Sequence, residues 1–146
     1  MWMLSNEPEG KAYEELVDFA SSVCKEFLFV KRNNIYHCEA EKLLSELSID
    51  LVQVKEQESW PGTNLAGSSA TVYYFKFNYK TREAIKKYVT GLFSWLPPLE
   101  DLCFLKENKQ PWLITVAHER IAWFTNETPE EITILQSING IDLKWV

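Results

Sequence analysis

The stretch Thr71–Phe77, Thr-Val-Tyr-Tyr-Phe-Lys-Phe, constrains this chain more than any other. Tyr73, Phe75 and Phe77 fall on one side of an extended segment, and Val72 and Tyr74 fall on the other. A strand that is apolar on both faces has to be covered on both faces, so it predicts a central strand of a sheet. Such a sheet needs further strands and a helical layer, and the flanking sequence supplies both.

Residues 11–29 carry Tyr13, Leu16, Val17, Ala20, Val23, Cys24 and Phe27 at three/four spacing, which predicts an amphipathic helix. A shorter helix is expected over Glu39–Leu47, and a strand over Leu51–Lys55. Ile85, Tyr88, Val89, Leu92, Phe93 and Leu96 predict a third helix over Arg82–Leu96, stopped by Pro97-Pro98. Short strands are expected at Leu102–Leu105, Trp112–Val116 and Ile121–Phe124, with Lys106–Gln110 and Ala117–Arg120 as hairpin loops. Thr128-Pro129-Glu130-Glu131 is a capping box with Pro at the first helical position, so a fourth helix begins there. Asn139-Gly140 ends it, and Ile141–Trp145 alternates as a last strand. The expected class is α+β: one domain over residues 1–146, with a single antiparallel or mixed sheet of five to six strands and about four helices packed on it.

Length and charge narrow the functional classes. With 146 residues the chain can bury a full core without a metal or disulfide staple. Its formal net charge is −6, which argues against nucleic acid or an anionic membrane as partner. Residues 1–60 hold 12 acids and 6 bases, so the whole excess lies there. Two readings stay open for it: a solvated helical face, or a docking face, around Glu14, Glu15 and Asp18, for a basic partner. The 3 cysteines, Cys24, Cys38 and Cys103, form no C-x-x-C, and with 2 histidines there is no recognisable zinc set; no metal or cofactor is expected. His37-Cys38 could contribute to a thiol or metal site, but it reads better as a buried cysteine at a helix start. Neither a signal peptide nor a membrane span is apparent, and a cytoplasmic location is the expectation.

Two candidate sites remain. Pairing Leu102–Leu105 with Trp112–Val116 puts Asp101 nearly opposite Thr115 and Glu100 opposite Val116. His118, Glu119 and Arg120 turn over at the same end. A histidine with carboxylate neighbours is a general acid/base kit, and Arg120 could hold an anionic group. The same residues are also ordinary strand-end polar groups. The second site is the loop 56–69, where Pro61-Gly62 suits a type II turn. There Trp60, with Thr63, either displays a binding anchor or folds back onto the sheet.

Trp60-Pro61-Gly62-Thr63, Glu100-Asp101-Leu102-Cys103-Phe104-Leu105, Pro111-Trp112-Leu113 and Ala117-His118-Glu119, taken together, resemble segments of small bacterial proteins without an established activity. The resemblance covers roughly residues 60–125. It implies a bacterial, cytoplasmic α+β protein and hands over no catalytic residue. The functional expectation is a non-enzymatic interaction protein, in one version immunity-like, with an acidic helical face for a basic protein. The alternatives are a small hydrolase using His118, Glu119, Asp101, Glu100 and Arg120, and a small-ligand binder with an aromatic pocket closed by the 56–69 loop.

Overall fold

A computed structural model describes all residues, Met1–Val146. The chain runs β1 (Trp2–Leu4), α1 (Lys11–Val23), β2 (Glu26–Lys31), α2 (Cys38–Leu47), β3 (Leu51–Gln57), β4 (Ser59–Trp60), β5 (Thr63–Asn64) and β6 (Ala70–Lys76). It continues with α3 (Tyr79–Tyr88), β7 (Leu99–Leu105), β8 (Pro111–Val116), β9 (Ile121–Phe124), α4 (Pro129–Ser137) and β10 (Leu143–Trp145). Eight strands form one antiparallel sheet in the order β10-β1-β9-β8-β7-β2-β6-β3, and β4-β5 is a separate two-stranded hairpin. The α+β class holds, with eight strands in the main sheet instead of five or six. The two added strands are β1 and β2.

Strand β2 replaces the end of the expected first helix. Val23 is its last helical residue, and Phe27, Leu28, Phe29 and Val30 are all buried. Four consecutive buried side chains need cover on both sides, which a helix against one sheet face cannot give and a central strand can. The third helix also ends early, at Tyr88. Beyond it come the β-branched Val89 and Thr90 and then Gly91, each poor in a helix. Gly91 instead bridges Glu9, while the Leu92 N–H donates to the Pro8 carbonyl. The fourth helix starts where the capping box placed it: Thr128 Oγ1 accepts from the Glu131 N–H, and the Glu131 carboxylate accepts from the Thr128 N–H.

The sheet has two unequal cores. The helical face buries 31 residues, among them Tyr13, Leu16 and Val17 of α1, Leu43 and Leu47 of α2, Ile85 of α3 and Leu135 of α4. Each such aliphatic side chain contributes about 1.5–3 kcal/mol. The opposite face has a smaller core of 8 residues, with Val30, Ala70, Val72, Cys103, Leu105 and Ile114 of the sheet roofed by Trp60. The β4-β5 hairpin is this second roof. Its turn, Pro61-Gly62, is tight against the sheet: Gly62 has φ +91°, and a Cβ there would sit 2.8 Å from Ile114 Cγ2 and 3.2 Å from Val116 Cγ2. Glycine is thus required twice, by the left-handed backbone and by the close approach. Strand β6 is covered on both faces as expected, but it lies one place in from the margin, and β3 outside it is the edge.

Candidate functional site

The site is organised by a β-bulge in β7. Cys103 pairs with Leu28 and Glu100 with Val30, so Asp101 and Leu102 together stand opposite Phe29. Asp101 occupies the left-handed region, with φ +59°. A bulge re-aims a side chain, and this one drives the Asp101 carboxylate into the protein, where the residue is 1% exposed. Oδ1 accepts from the Ala117 N–H at 2.9 Å, fixing the β8-β9 turn. Oδ2 accepts from Trp60 Nε1 at 3.1 Å and from Arg32 Nη2 at 3.4 Å. One carboxylate therefore ties together the end of β2, the roofing hairpin and the turn carrying His118.

Arg32 is the second organiser. Its guanidinium lies 5.0 Å from the centre of the Trp60 ring, a cation–π arrangement. Its Nε is 2.5 Å from Glu100 Oε1, at an angle that makes the contact an ion pair more than a hydrogen bond. Glu100 is half-buried, and its pKa is pushed up, first by loss of water and then by the neighbouring Asp101 charge; Arg32 and His118 oppose the rise. Glu100, Asp101 and His118 have ligand atoms within 4.8 Å of one another. A metal would have to compete with the N–H donors that already engage Asp101 on both oxygens and with the guanidinium on Glu100. A cleft of about 270 Å³ opens beside this cluster, lined by Arg32, Phe93, Trp95, Pro98, Glu100 and His118 among others. A second, of about 330 Å³, lies between the hairpin and the β8-β9 turn; Thr63, His118 and Glu119 are in its wall.

Several expected residues thus meet and others do not. His118 stands exposed on the turn beside Glu100 and Asp101. Glu119 is exposed next to it. Arg120 leaves the group: it pairs with Glu7 at 2.6 Å and lies over the Phe93 ring, at 5.6 Å. Burial pushes the Glu7 pKa up, but the Phe93 N–H, the Ser94 hydroxyl and Arg120 more than reverse this and hold it below the usual range. The register between β7 and β8 differs by one residue from the expectation. Cys103 is opposite Ile114 and the Thr115 hydroxyl donates to the Leu102 carbonyl, so Leu102, not Asp101, is level with Thr115.

Trp60 is not a displayed anchor. It is 5% exposed, folded onto the second core, and its indole N–H is held by Asp101. The hairpin containing it packs on the sheet, so Trp60 lies in the second core and lines no cleft. Arg32, at the centre of the real cluster, was hidden in a Lys-Arg-Asn-Asn run that reads as a helix breaker. No local pattern marks it, because its partners come from residues 60, 100 and 101.

The acidic region is also redistributed by the fold. Helix α3 packs against α1 and α2 and carries bases to their acids: Lys86 Nζ is 2.7 Å and Arg82 Nε 3.5 Å from Asp18, and Lys87 reaches Glu46 at 2.9 Å. Asp18 is therefore engaged within the chain, while Glu14 is exposed and Glu15 half-buried on α1. Residues 35–60 hold six acids and two bases, a net of −4 out of the −6 of the whole chain. Within them Glu39, Glu41 and Glu46 have cations at 3.2, 3.5 and 2.9 Å. Asp50, Glu56 and Glu58, which flank or belong to β3, are in none of the ion pairs. His37 is the N-cap of α2, its Nδ1 accepting from the Ala40 N–H; Cys38 does start the helix but is exposed, not buried as expected, because the first turn of α2 turns Ala40 and not Cys38 to the core. No helix is long and apolar enough to cross a membrane. No protein-family model, curated protein or solved structure matches this chain.

Proposed function

We propose that this chain is a non-enzymatic interaction protein that captures a basic protein partner, as an immunity-like protein captures a basic toxin or nuclease. The observation that carries the reading is a group of acids without a cation beside the open edge of the sheet. Cations from α3 engage Asp18 and Glu46, whereas none reaches the exposed Glu58 or Glu56, which accepts from the Ser69 and Thr71 hydroxyls, nor Asp50 at the start of β3, where Asn78 holds one carboxylate oxygen and the other is buried. Acids on an open margin attract a basic surface and raise its rate of encounter. The Asp101 cluster fits the same reading as a structural clasp, since its acceptors are taken by Trp60, Ala117 and Arg32.

The test is capture with the tagged chain from its own cells, followed by affinity measurements on the purified partner. The partner has a basic isoelectric point, and its affinity falls several-fold as ionic strength rises from about 0.05 to 0.3 M, because the Debye length shrinks. Asp50→Asn and Glu58→Gln reduce the salt slope. An acidic partner, or an affinity indifferent to salt, contradicts the reading.

One observation favours a second reading, a small hydrolase. Glu100 has a raised pKa, set first by burial, and sits with His118 beside a cleft of about 270 Å³. A carboxyl group next to an imidazole at the mouth of a cleft can serve general acid/base chemistry. If this reading holds, hydrolysis of nitrophenyl ester or phosphodiester probes disappears in His118→Ala and Glu100→Gln. Rates equal in wild type and both variants exclude it.

A further inference from the structure

The edge strand β3 is unusual in what it leaves open. It pairs with β6 on one side and has no strand on the other, so the backbone N–H and C=O groups of that margin have no sheet partner. Folded proteins blunt such edges with short strands, prolines, lysines, β-bulges or a covering element, and β3 has one bulge, between Leu51 and Gln53. The opposite edge follows this rule, for β10 has three residues. Strand β3 has seven, contains no proline, and exposes Leu51, Val52 and Val54 to 41%, 40% and 46%, after Ile49 at 79%. Its one lysine is Lys55. On the face shared with the helices, Leu51 and Val54 stand beside Phe75 and Tyr73, and Glu56 stands beside Thr71. Asp50 and Glu58 bracket the strand.

We infer that β3 takes up an extended segment of the basic partner as a ninth strand, an inference that rests on the reading of the chain as a binder of basic proteins. Main-chain hydrogen bonds supply the attachment, and side chains of the added strand supply the selection. The added strand presents apolar side chains beside Leu51 and Val54. It places lysine or arginine beside Glu56 and Glu58, since opposite charges across a strand pair are favourable. A second copy of this chain is a poorer occupant. Residues 50–58 carry three acids, Asp50, Glu56 and Glu58, against the one base Lys55, so two such margins brought together repel.

The probe is a capped seven-residue peptide, Lys-Thr-Val-Thr-Val-Thr-Lys, one face of which reads Lys, Val, Val, Lys. Its twin carries Glu in place of both Lys. The isotope-labelled full-length chain is titrated with each and followed by amide shifts and hydrogen exchange. The lysine peptide slows exchange of β3 amides and binds at least tenfold more tightly than the glutamate twin. Glu58→Lys, an exposed change that leaves the fold intact, weakens it several-fold, and Val54→Pro, checked by its spectrum for folding, abolishes the protection. If the lysine peptide moves Asp50, Glu56 and Glu58 in a salt-dependent way but leaves β3 amides unprotected, strand addition is overturned and the basic-partner reading survives. If neither peptide perturbs β3 or these acids at millimolar concentration, both fall. Concentration-dependent dimerisation of the free chain through β3 makes a second copy the occupant and overturns the inference.

Discussion

Replacing Asp101 with Ala removes the acceptor for three donors at once. The Trp60 indole N–H and the Ala117 N–H, at 3.1 and 2.9 Å, are left with no partner in a region where Asp101 itself is 1% exposed. A buried donor stranded in this way costs about 1–3 kcal/mol. Arg32 keeps Glu100 and the Trp60 ring, so its loss is the smallest of the three. The expected destabilisation is therefore about 3–5 kcal/mol, in the range for breaking a buried charged cluster from one side. The left-handed φ of +59° provides an internal control. Asp101→Gly loses the same hydrogen bonds but relieves a backbone cost of about 1–2 kcal/mol, so it is milder than Asp101→Ala by roughly that amount. Urea unfolding followed by far-UV circular dichroism gives the totals, and tryptophan fluorescence reports release of the Trp60 roof. A loss under about 1 kcal/mol for Asp101→Ala, or equal losses for Ala and Gly, would refute the clasp.

Other perturbations test other joints of the structure. Gly62→Ala combines left-handed backbone strain with a Cβ 2.8 Å from Ile114 Cγ2, and it destabilises by about 2 kcal/mol or more in thermal or urea melts. Trp60→Phe keeps the ring on the second core but drops the N–H to Asp101, and it costs about 1–3 kcal/mol in the same melts. Burial alone pushes the Glu131 pKa up, yet the Thr128 N–H, Lys106 and Trp112 hold it below the usual carboxylate range. Its stabilisation is complete above the ordinary glutamate pKa of about 4.3 and is lost as pH falls through the lower folded value. Glu100 has the opposite sign: its raised pKa makes the fold relatively more stable while it is protonated, and this margin is lost as pH rises through the folded value. Acid titration of unfolding free energy therefore shows a smaller low-pH loss for Glu131→Gln, whereas Glu100→Gln lifts the penalty at higher pH.

Local signals in the sequence were faithful where local chemistry decides the structure. The capping box at Thr128–Glu131, the Pro61-Gly62 turn and the two-faced apolar strand around Tyr73–Phe75 all stand as their residues imply. Phe27 satisfies a helical and an extended period alike, so the boundary between α1 and β2 depended on burial on both sheet faces, which periodicity does not encode. The candidate site was half legible. His118, Glu100 and Asp101 follow from the hairpin β7-β8, but a one-residue bulge sets the direction of Asp101, and Arg32 arrives from a strand far away in sequence. The acid excess of residues 1–60 follows from the sequence, but the bases that engage Asp18 come from α3, which no spacing within α1 records. The openness of β3 depends on strand order, which no single segment records.

The most direct test of the central claim is a hydrogen-exchange footprint of this chain with and without its captured basic partner. Added protection concentrated on Leu51–Gln57, lost in Glu58→Lys and reduced at high salt, is the expected result. Protection confined to the His118 turn and its cleft, with β3 unchanged, contradicts it.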